Sequence, residues 1–322
     1  MGNVSAPASR LLRGHEAAHR EVEERLARFK GTEAALLFPS GYQANLAIAT
    51  ALIGPEDRAI SDALNHASLI DGLRLAGCEK AIYGHLDVRA LENLLAHTPS
   101  RGRNFLFSES YFSVDGDVAP LNLLADAADR HGAVLVVDDA HATGIFGKTR
   151  GSGLCELFGI ERRAVATLST CGKALGLWGA FVAGPRVVID TIINKARPFI
   201  FSTAVSPLLA AGLHGALDVV EGEPELRERP HALARRLRAI LENRGLQVPP
   251  GEGPIVPVIL GDNARALRVA AQVQHRGFDV RAVRPPTVPP GTARLRLSIH
   301  ADHTEEQIDA VADAVANAVE AS

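Results

Sequence analysis

Residues 133–141 read AVLVVDDAH, so that five consecutive apolar residues lead directly into two aspartates and a histidine. An uninterrupted apolar run rich in β-branched residues is typical of a strand buried on both faces of a parallel sheet. Charged groups at the carboxyl end of such a strand lie where open α/β sheets bind ligands. The stretch therefore predicts an α/β fold with Asp138 and His141 as candidate site residues. A helix N-cap or turn role for Asp138 and Asp139 is the alternative.

A second stretch, residues 169–176, reads STCGKALG and follows the apolar residues 164–168. Lys173, in this stretch, is one of only five lysines in the chain, against 29 arginines. A position between glycines at the end of a strand is unusual for a lysine that only keeps the protein surface charged. Lysine can lose its proton and attack a carbonyl as an amine, which arginine cannot do. A lysine and an Asp-x-x-His motif at strand ends suit pyridoxal phosphate, which needs a Schiff-base amine and a carboxylate for its ring nitrogen. A surface loop lysine is the alternative.

Composition excludes several classes of protein. With 322 residues the chain is long enough for a large and a smaller domain. Its net charge of −3, without a basic block, gives no indication of binding to nucleic acid or a membrane surface. The three cysteines are scattered and show no disulfide framework or metal-ligand spacing, which favours a reducing cytoplasm and no metal site. No apolar stretch has membrane-spanning length, and residues 1–13 lack the apolar core of a signal peptide.

Helical and strand patterns alternate over residues 1–220. This order is typical of a mainly parallel sheet with helices on both faces, and we expect these residues to form a large cofactor-binding domain. The predicted strands are 58–61, 80–83, 104–107, 133–138, 164–168 and 180–183. The predicted helices are 15–30, 41–53, 66–76, 88–96 and 120–131.

The pattern changes over residues 221–322, for which we predict a small C-terminal α+β domain. Strands 279–283 and 293–299 could pair antiparallel across a proline-rich loop. The other predicted elements are helices 225–244, 264–275 and 304–318 and a strand at 255–260.

Three further motifs follow predicted strands or open a predicted helix. They are SGYQAN at 40–45, NHAS at 65–68 and SESYFSVDGD at 108–117. The first offers free backbone N–H groups and a helix dipole to an anion. Together with the two stretches above, these motifs resemble the fold-type I pyridoxal-phosphate enzymes, and among them the α-oxoamine synthases. That family condenses an amino acid with an acyl thioester and releases carbon dioxide, and the resemblance covers essentially the whole chain.

One branch of the family, in the biotin pathway, is the most similar. The segments that carry this resemblance are residues 9–15, 261–267 and RPPTVPPGTARLRLS at 284–298. It implies L-alanine and a pimeloyl thioester of coenzyme A or a carrier protein as substrates, and a homodimer with shared active sites. Family members carry several dozen residues before the motif that begins here at Ser9. This short N-terminus leaves a truncated partner chain of impaired activity as one alternative. Within the enzyme class, a sibling synthase for glycine and an acetyl thioester is the other.

The resemblance also implies roles for four catalytic residues. Lys173 would form the Schiff base and then remove the Cα proton of the substrate. Asp138 would pair with the ring nitrogen of the cofactor, and His141 would bind the ring oxygen. His66 would stack on the ring and contact the substrate. Plainer alternatives are a helix-start polar residue for His66 and a loop histidine for His141.

Further binding positions are implied in the same way. Gly41 and Tyr42 would hold the cofactor at the start of a helix, and Ser113 and Thr170 would contact it. Thr203 would reach the cofactor phosphate of the neighbouring subunit. Thr287 and Arg296 would bind substrate, with Arg296 on the amino-acid carboxylate, although a charge on a strand face is the alternative for Arg296. Glu109 also matches, but no role is implied for it.

Overall fold

The structure is a computed structural model that describes residues 4–97 and 101–322 of the chain. Residues 1–3 of the N-terminal stretch considered above lie outside the described residues. The chain divides into two compact units. The first contains the described residues up to Tyr111 together with Ala119–Glu223, and the second contains Phe112–Val118 and Pro224–Ser322.

The first unit is built on a seven-stranded sheet in the order β1-β7-β6-β5-β4-β2-β3. The strands are β1 Ala34–Phe38, β2 Arg58–Asp62, β3 Glu79–Tyr83, β4 Asn104–Glu109, β5 Val134–Asp138, β6 Ala164–Thr170 and β7 Ala180–Gly184. Strand β7 runs antiparallel to both of its neighbours, whereas the other pairings are parallel. The predicted mainly parallel sheet is confirmed.

Helices connect these strands. They are α1 Ala17–Lys30, α2 Gly41–Leu52, α3 Ala67–Ala76, α4 Val88–His97, α5 Leu121–Arg130, α6 Leu154–Phe158, α7 Arg186–Lys195, α8 Arg197–Ile200 and α9 Pro207–Gly222, preceded by a π-helical turn at Arg10–Gly14. Helix α1 ends because Gly31 adopts the left-handed conformation (φ 69°), which costs glycine little. Helix α2 is capped by Ser40, whose hydroxyl accepts the Gln43 N–H at 3.2 Å.

Both faces of this sheet are covered by apolar side chains. In β7, Val182 belongs to the core under α2, α3 and α7, whereas Phe181 and Ala183 belong to the core under α1 and α9. Successive residues of a strand point to opposite faces, so a strand between two cores must be apolar throughout. This explains why the strands of the first unit appear in the sequence as continuous apolar runs.

The second unit contains a three-stranded antiparallel sheet in the order β8-β10-β9. Its elements are α10 Glu225–Asn243, β8 Ile255–Gly261, α11 Asn263–His275, β9 Arg281–Val283, β10 Ala293–Ser298 and α12 Glu305–Glu320. The predicted antiparallel pairing across the proline-rich loop is confirmed, although β9 begins at Arg281. In the part of the chain that the structure describes, no helix is both long and apolar enough to cross a membrane.

Candidate active site

A cavity of about 220 Å³ lies at the carboxyl ends of β5 and β6, beside the first turn of α2. Parallel strands deliver their C-terminal residues to one edge of the sheet, which is why motifs far apart in sequence meet here. The cavity brings together seven of the predicted site residues: Gly41, Tyr42, His66, Asp138, His141, Thr170 and Lys173.

Asp138, the last residue of β5, is 6% exposed. Its carboxylate accepts hydrogen bonds from Asn45 Nδ2 at 2.7 Å and from the Ala140 N–H at 3.1 Å. Burial raises the pKa of Asp138, because a buried carboxylate is poorly solvated, and these hydrogen bonds oppose that rise. Among the described residues Asp138 has no ion-pair partner. A buried acceptor of this kind fits a cationic N–H donor such as a protonated pyridine nitrogen.

Lys173 lies beyond the end of β6, in the turn that leads to β7. Its Nζ donates to Thr170 Oγ1 at 2.9 Å, and that hydroxyl donates to the Ala140 carbonyl at 3.1 Å. Thr170 thus holds the Lys173 ammonium at the cavity. Because the Thr170 hydroxyl donates its own proton to Ala140, its oxygen accepts the hydrogen bond from Lys173. Burial raises the pKa of the neighbouring Cys171 to about 12, so its thiol stays protonated.

His66 stands at the N-cap of α3 and lines the same cavity. Its Nδ1 lies 2.8 Å from Ser68 Oγ and accepts the Ser68 backbone N–H at 3.2 Å. A backbone N–H is always a donor, so Nδ1 carries a lone pair and a neutral His66 is protonated on Nε2. The other ring nitrogen is therefore the one that can donate a proton to a partner.

Gly41 and Tyr42 open α2 at the cavity wall. A Cβ atom on Gly41 would lie 2.7 Å from Thr170 Cγ2, closer than non-bonded carbons approach, so the position needs glycine. The Tyr42 hydroxyl donates to Asp71, and this hydrogen bond raises the pKa of Tyr42. The phenol proton is thus committed to Asp71, which leaves the ring of Tyr42 as a wall of the cavity.

Four predicted residues are not among those that line this cavity. Thr203 belongs to the first unit, where it forms a β-bridge with Ser9. Ser113, Thr287 and Arg296 belong to the second unit. There Arg296 Nε donates to the Ser113 carbonyl at 2.6 Å, and the Thr287 N–H donates to the Arg284 carbonyl at 3.0 Å.

The cavity wall also contains two polar residues, Asn45 and Ser68, that were not predicted as site residues from the sequence. Asn45 follows Gly41 by four positions, so the two share a face of α2. That spacing is the signal that could have identified Asn45. Asp139 does not face the cavity: it accepts hydrogen bonds from Lys30 Nζ at 2.7 Å and Ser110 Oγ at 2.6 Å. Asp139 therefore has a structural role in a buried ion pair, which is a different role from the helix N-cap or turn considered above.

Comparison with known proteins assigns the chain to a family. Residues 7–315 match the family "Aminotransferase class I and II". The chain is 48% identical over 306 residues to the 8-amino-7-oxononanoate synthase of Anaeromyxobacter dehalogenans (strain 2CP-C), covering 95% of this chain and 77% of that protein. It is 46% identical over 314 residues to the putative 8-amino-7-oxononanoate synthase of Geobacillus kaustophilus, covering 97% and 80% respectively.

Solved structures of related enzymes have the same fold. Serine palmitoyltransferase from S. paucimobilis, bound to PLP and myriocin, superposes with a TM-score of 0.94 at 33% identity, covering 99% of this chain and 80% of that chain. The 8-amino-7-oxononanoate synthase from Francisella tularensis superposes with a TM-score of 0.85 at 27% identity, covering 95% and 88%. The predicted fold-type I architecture and pyridoxal phosphate cofactor are thereby confirmed. The chain belongs to the 8-amino-7-oxononanoate synthases, a family of pyridoxal-phosphate-dependent acyltransferases.

Proposed function

We propose that the chain condenses L-alanine with a pimeloyl thioester to form 8-amino-7-oxononanoate, with release of carbon dioxide and the free thiol. The observation that carries this proposal is the buried Asp138 carboxylate on the same cavity as the Lys173 ammonium. These two groups are what pyridoxal phosphate requires of a protein. The relatives named above supply the substrates.

The residues present fit the cofactor. We assign Asp138 to its ring nitrogen, Lys173 to its covalent attachment, and Thr170 and His141 to its polar edge. When bound, pyridoxal phosphate supplies a conjugated ring that accepts the electrons of a substrate carbanion. The first turn of α2, from Gly41, offers backbone N–H groups to its phosphate.

Asp138 stabilises positive charge at the ring nitrogen. Its carboxylate is held in place by the Asn45 and Ala140 hydrogen bonds before any ligand arrives. Electrostatic interactions are stronger in a buried site than in water, and a prearranged charge needs no reorganisation during the reaction. Burial raises the pKa of Asp138 as long as no cation is paired with it. The same burial therefore strengthens the ion pair that Asp138 forms with a cation.

Lys173 moves the proton. We assign to its Nζ the removal of the alanine Cα proton and the later return of a proton to the same carbon. The hydrogen bond to Thr170 Oγ1 keeps this amine at the cavity. We further propose that Arg296 binds the substrate carboxylate, that Thr287 contacts the acyl group and that His66 covers the cofactor ring. Arginine suits a carboxylate because its planar N–H donors match the two oxygens.

We also propose that two copies of the chain form a dimer in which Thr203 and Ser113 contribute to the sites. Large apolar side chains are exposed on the first unit, among them Leu12, Trp178, Phe201 and Leu208. The β-bridge between Ser9 and Thr203 places the segments of Leu12 and Phe201 side by side. Light scattering behind a sizing column tests this, because a monomer that binds the cofactor fully would contradict it.

The experiment that tests the function compares the purified chain with Lys173→Ala. The unmodified chain should show the absorbance of lysine-bound cofactor near the visible edge and release carbon dioxide only with alanine and pimeloyl thioester together. Lys173→Ala should lose both properties, whereas Lys195→Ala, which removes an exposed lysine at the end of α7, should lose neither. Full turnover by Lys173→Ala would refute the assignment.

Substrate choice needs a parallel measurement. Turnover with alanine and pimeloyl thioester should exceed turnover with glycine and acetyl thioester. The reverse order would identify a sibling synthase. A chain that binds the cofactor but condenses neither pair would be an impaired partner chain.

A further inference from the structure

Strands β2 and β4 stop pairing before either strand ends. Their last paired residues are Ser61 and Phe107, whereas β2 continues to Asp62 and β4 to Glu109. Beyond this point the chain turns away from β4 towards α3. Glu109 is only 3% exposed, and a buried backbone N–H needs an acceptor. Another group must therefore take the place of β2 at this end of the sheet.

The side chain of Asn65, in the turn after β2, is that group. Asn65 is 4% exposed, its Oδ1 accepts the Glu109 N–H at 2.9 Å, and its Nδ2 donates to the Phe107 carbonyl at 2.9 Å. In a parallel ladder, a strand residue bonds in the same way to the two residues that flank its partner. The Asn65 amide thus replaces the peptide group that would lie opposite Ser108.

This position needs a primary amide. The second N–H of Asn65 Nδ2 donates to Ser61 Oγ at 2.9 Å. Exchanging Oδ1 and Nδ2 would put an oxygen against the Phe107 carbonyl and an NH₂ group against the Glu109 N–H. A carboxylate of the same shape would keep the acceptor but lose the donor, so aspartate makes only half of the contact.

Asn65 joins the start of α3 to the sheet on the side of the cavity. The next residue, His66, is the N-cap of α3 and lines the cavity. Ser68, within α3, determines how the imidazole is turned, because its backbone N–H donates to Nδ1. On the side away from the cavity, the Ala63 N–H donates to the Tyr83 carbonyl of β3 at 3.1 Å. The turn is therefore attached to both neighbours of β2, and Asn65 makes the attachment to β4.

The end of β4 is in turn paired with the end of β5. Glu109 lies opposite Asp138, and the Ser110 N–H donates to the Asp138 carbonyl at 2.9 Å. Both Glu109 and Asp138 line the cavity. Three neighbouring chain segments thus bring His66, Glu109 and Asp138 to one edge. Backbone hydrogen bonds join the second and third segments, and the Asn65 side chain joins the first to the second.

We propose that Asn65 is a positioning residue that sets where His66 lies relative to Glu109 and Asp138. The inference rests on the proposed function, in which His66 covers the cofactor ring and Asp138 binds the ring nitrogen. Asn65 is not among the residues that line the cavity, so it acts on the reaction through His66 and not by contact. Ser68 controls the orientation of the imidazole, whereas Asn65 controls its location.

The first test measures the Asn65 hydrogen bond in the cofactor-free chain. In protein labelled with ¹⁵N-glutamate, the Glu109 amide signal is assigned by its loss in Glu109→Gln. Asn65→Leu, which keeps the side-chain size, should make this amide exchange with solvent about tenfold faster or more. If Asn65→Leu does not fold, Asn65→Ala removes the same bonds with less bulk. An exchange rate equal to that of the unmodified chain would overturn the proposal.

Ser61→Ala is the matched control for this measurement. It removes the third partner of the Asn65 amide but keeps both bonds to β4. The exchange rate of the Glu109 amide should therefore change less than about twofold. An acceleration as large as in Asn65→Leu would show that a general loosening of the turn, and not the bond to β4, protects this amide.

The second test asks whether Asn65 acts through His66. Asn65→Asp should lower kcat about tenfold and alter the circular dichroism of the bound cofactor, while KM for alanine changes less than about twofold. In a His66→Ala background, the same substitution should change kcat less than about twofold and leave the circular dichroism as it is. Equal effects in both backgrounds would overturn the proposal, because a general structural defect does not depend on His66.

Asn194→Asp controls for the added charge. Asn194 is exposed on α7, where its Nδ2 donates to the Asp190 carbonyl at 2.7 Å, and its substitution should change none of these readouts. Amide exchange needs neither cofactor nor substrates, and circular dichroism needs only the cofactor. A chain that condenses no substrates would therefore refute the proposed function, while these two readouts still decide the role of Asn65.

Discussion

Lys30 Nζ lies 2.7 Å from Asp139 Oδ2, and both side chains are almost completely buried. The same ammonium donates to the Ser152 carbonyl at 2.5 Å, and Asp139 also accepts the Ser110 hydroxyl. Asp139 directly follows Asp138 in the chain. This buried ion pair therefore fixes the turn from which Asp138 enters the cavity, and it ties that turn to the end of α1.

Replacing Lys30 with methionine should strongly destabilise the first unit. The substitution keeps much of the side-chain volume but leaves the Asp139 carboxylate buried without its cation, which costs about 3–5 kcal/mol of unfolding free energy. Urea denaturation followed by circular dichroism measures this. Arg163→Met is the control, because Arg163 pairs with the exposed Asp126 and Asp129 and its loss should cost at most about 1 kcal/mol.

The double variant Lys30→Met/Asp139→Asn sharpens this prediction. Removing the charge at both ends should recover part of the loss, since an uncompensated buried charge is the main cost. Two outcomes would contradict this role of the ion pair. One is a loss of unfolding free energy in Lys30→Met that is no larger than the loss in Arg163→Met. The other is a loss in the double variant that exceeds the summed losses of the two single variants.

Glu156 should make stability depend on pH in the acidic range. Burial alone would raise its pKa, but hydrogen bonds from the backbone N–H groups of Thr149, Ser152 and Arg150 outweigh that effect and lower the pKa to about 2. A pKa below the unfolded-state value means that the stabilisation is complete above about pH 4.5 and is lost as the pH falls through about 2.

Glu156→Gln tests this pH dependence. The variant should be less stable than the unmodified chain by roughly 3 kcal/mol at pH 7. The difference should shrink below about pH 4.5 and vanish near pH 2, which urea denaturation series at several pH values can follow. A difference that stays constant between pH 7 and pH 3 would show that ionisation of Glu156 is not the cause.

The sequence was sufficient to predict six of the seven strands of the large sheet, because each of these strands has a local sequence signal. Residues 133–141 carry both the buried strand β5 and the polar residues that end it. The unpredicted elements are those with weak local signals. Strand β1 is a short apolar run that fits a strand or a helix end, and α9 is interrupted by Gly212 and Gly215, which lower its helical signal.

The hydrogen bonds inside the cavity could not be predicted from the sequence. Asn45, Ser68 and Asp138 are separated by 23 and 70 positions in the sequence. Asn45 and Ser68 meet because α2 and α3 pack closely, and Asp138 contacts Asn45 from the end of β5. A Cβ atom on Gly72 would lie 3.1 Å from Ala49 Cβ, so glycine permits this approach. Motifs identify which residues surround the cavity, whereas hydrogen-bond partners depend on tertiary packing. The roles assigned to the site residues stay predictions.

Helix α12 in the second unit should lose stability when its cap is removed. Thr304 Oγ1 accepts the Gln307 N–H at 3.2 Å, and Gln307 Oε1 accepts the Thr304 N–H at 2.9 Å. Thr304→Ala removes one of these bonds and should cost about 1 kcal/mol, whereas Thr304→Ser should cost much less. Thermal unfolding of the three proteins measures the difference. Equal losses in the alanine and serine variants would point to the lost methyl group instead of the cap.

Gly41→Ala should weaken cofactor binding for a steric reason. The new Cβ would lie 2.7 Å from Thr170 Cγ2, and a β-branched side chain cannot move aside easily. The displacement would shift Thr170, which holds Lys173, and the start of α2. We expect the dissociation constant for pyridoxal phosphate, measured by absorbance titration, to rise about tenfold or more, which corresponds to about 1.4 kcal/mol.

The double variant Gly41→Ala/Thr170→Ser tests that cause directly. Serine keeps the hydroxyl that accepts from Lys173 but lacks the Cγ2 methyl that Cβ would strike. Cofactor affinity should therefore return most of the way to that of the unmodified chain, while Thr170→Ser alone changes it little. If the double variant binds as poorly as Gly41→Ala, the role of Gly41 lies in its backbone N–H or the space it leaves for the phosphate, and contact with Thr170 is not the reason for glycine.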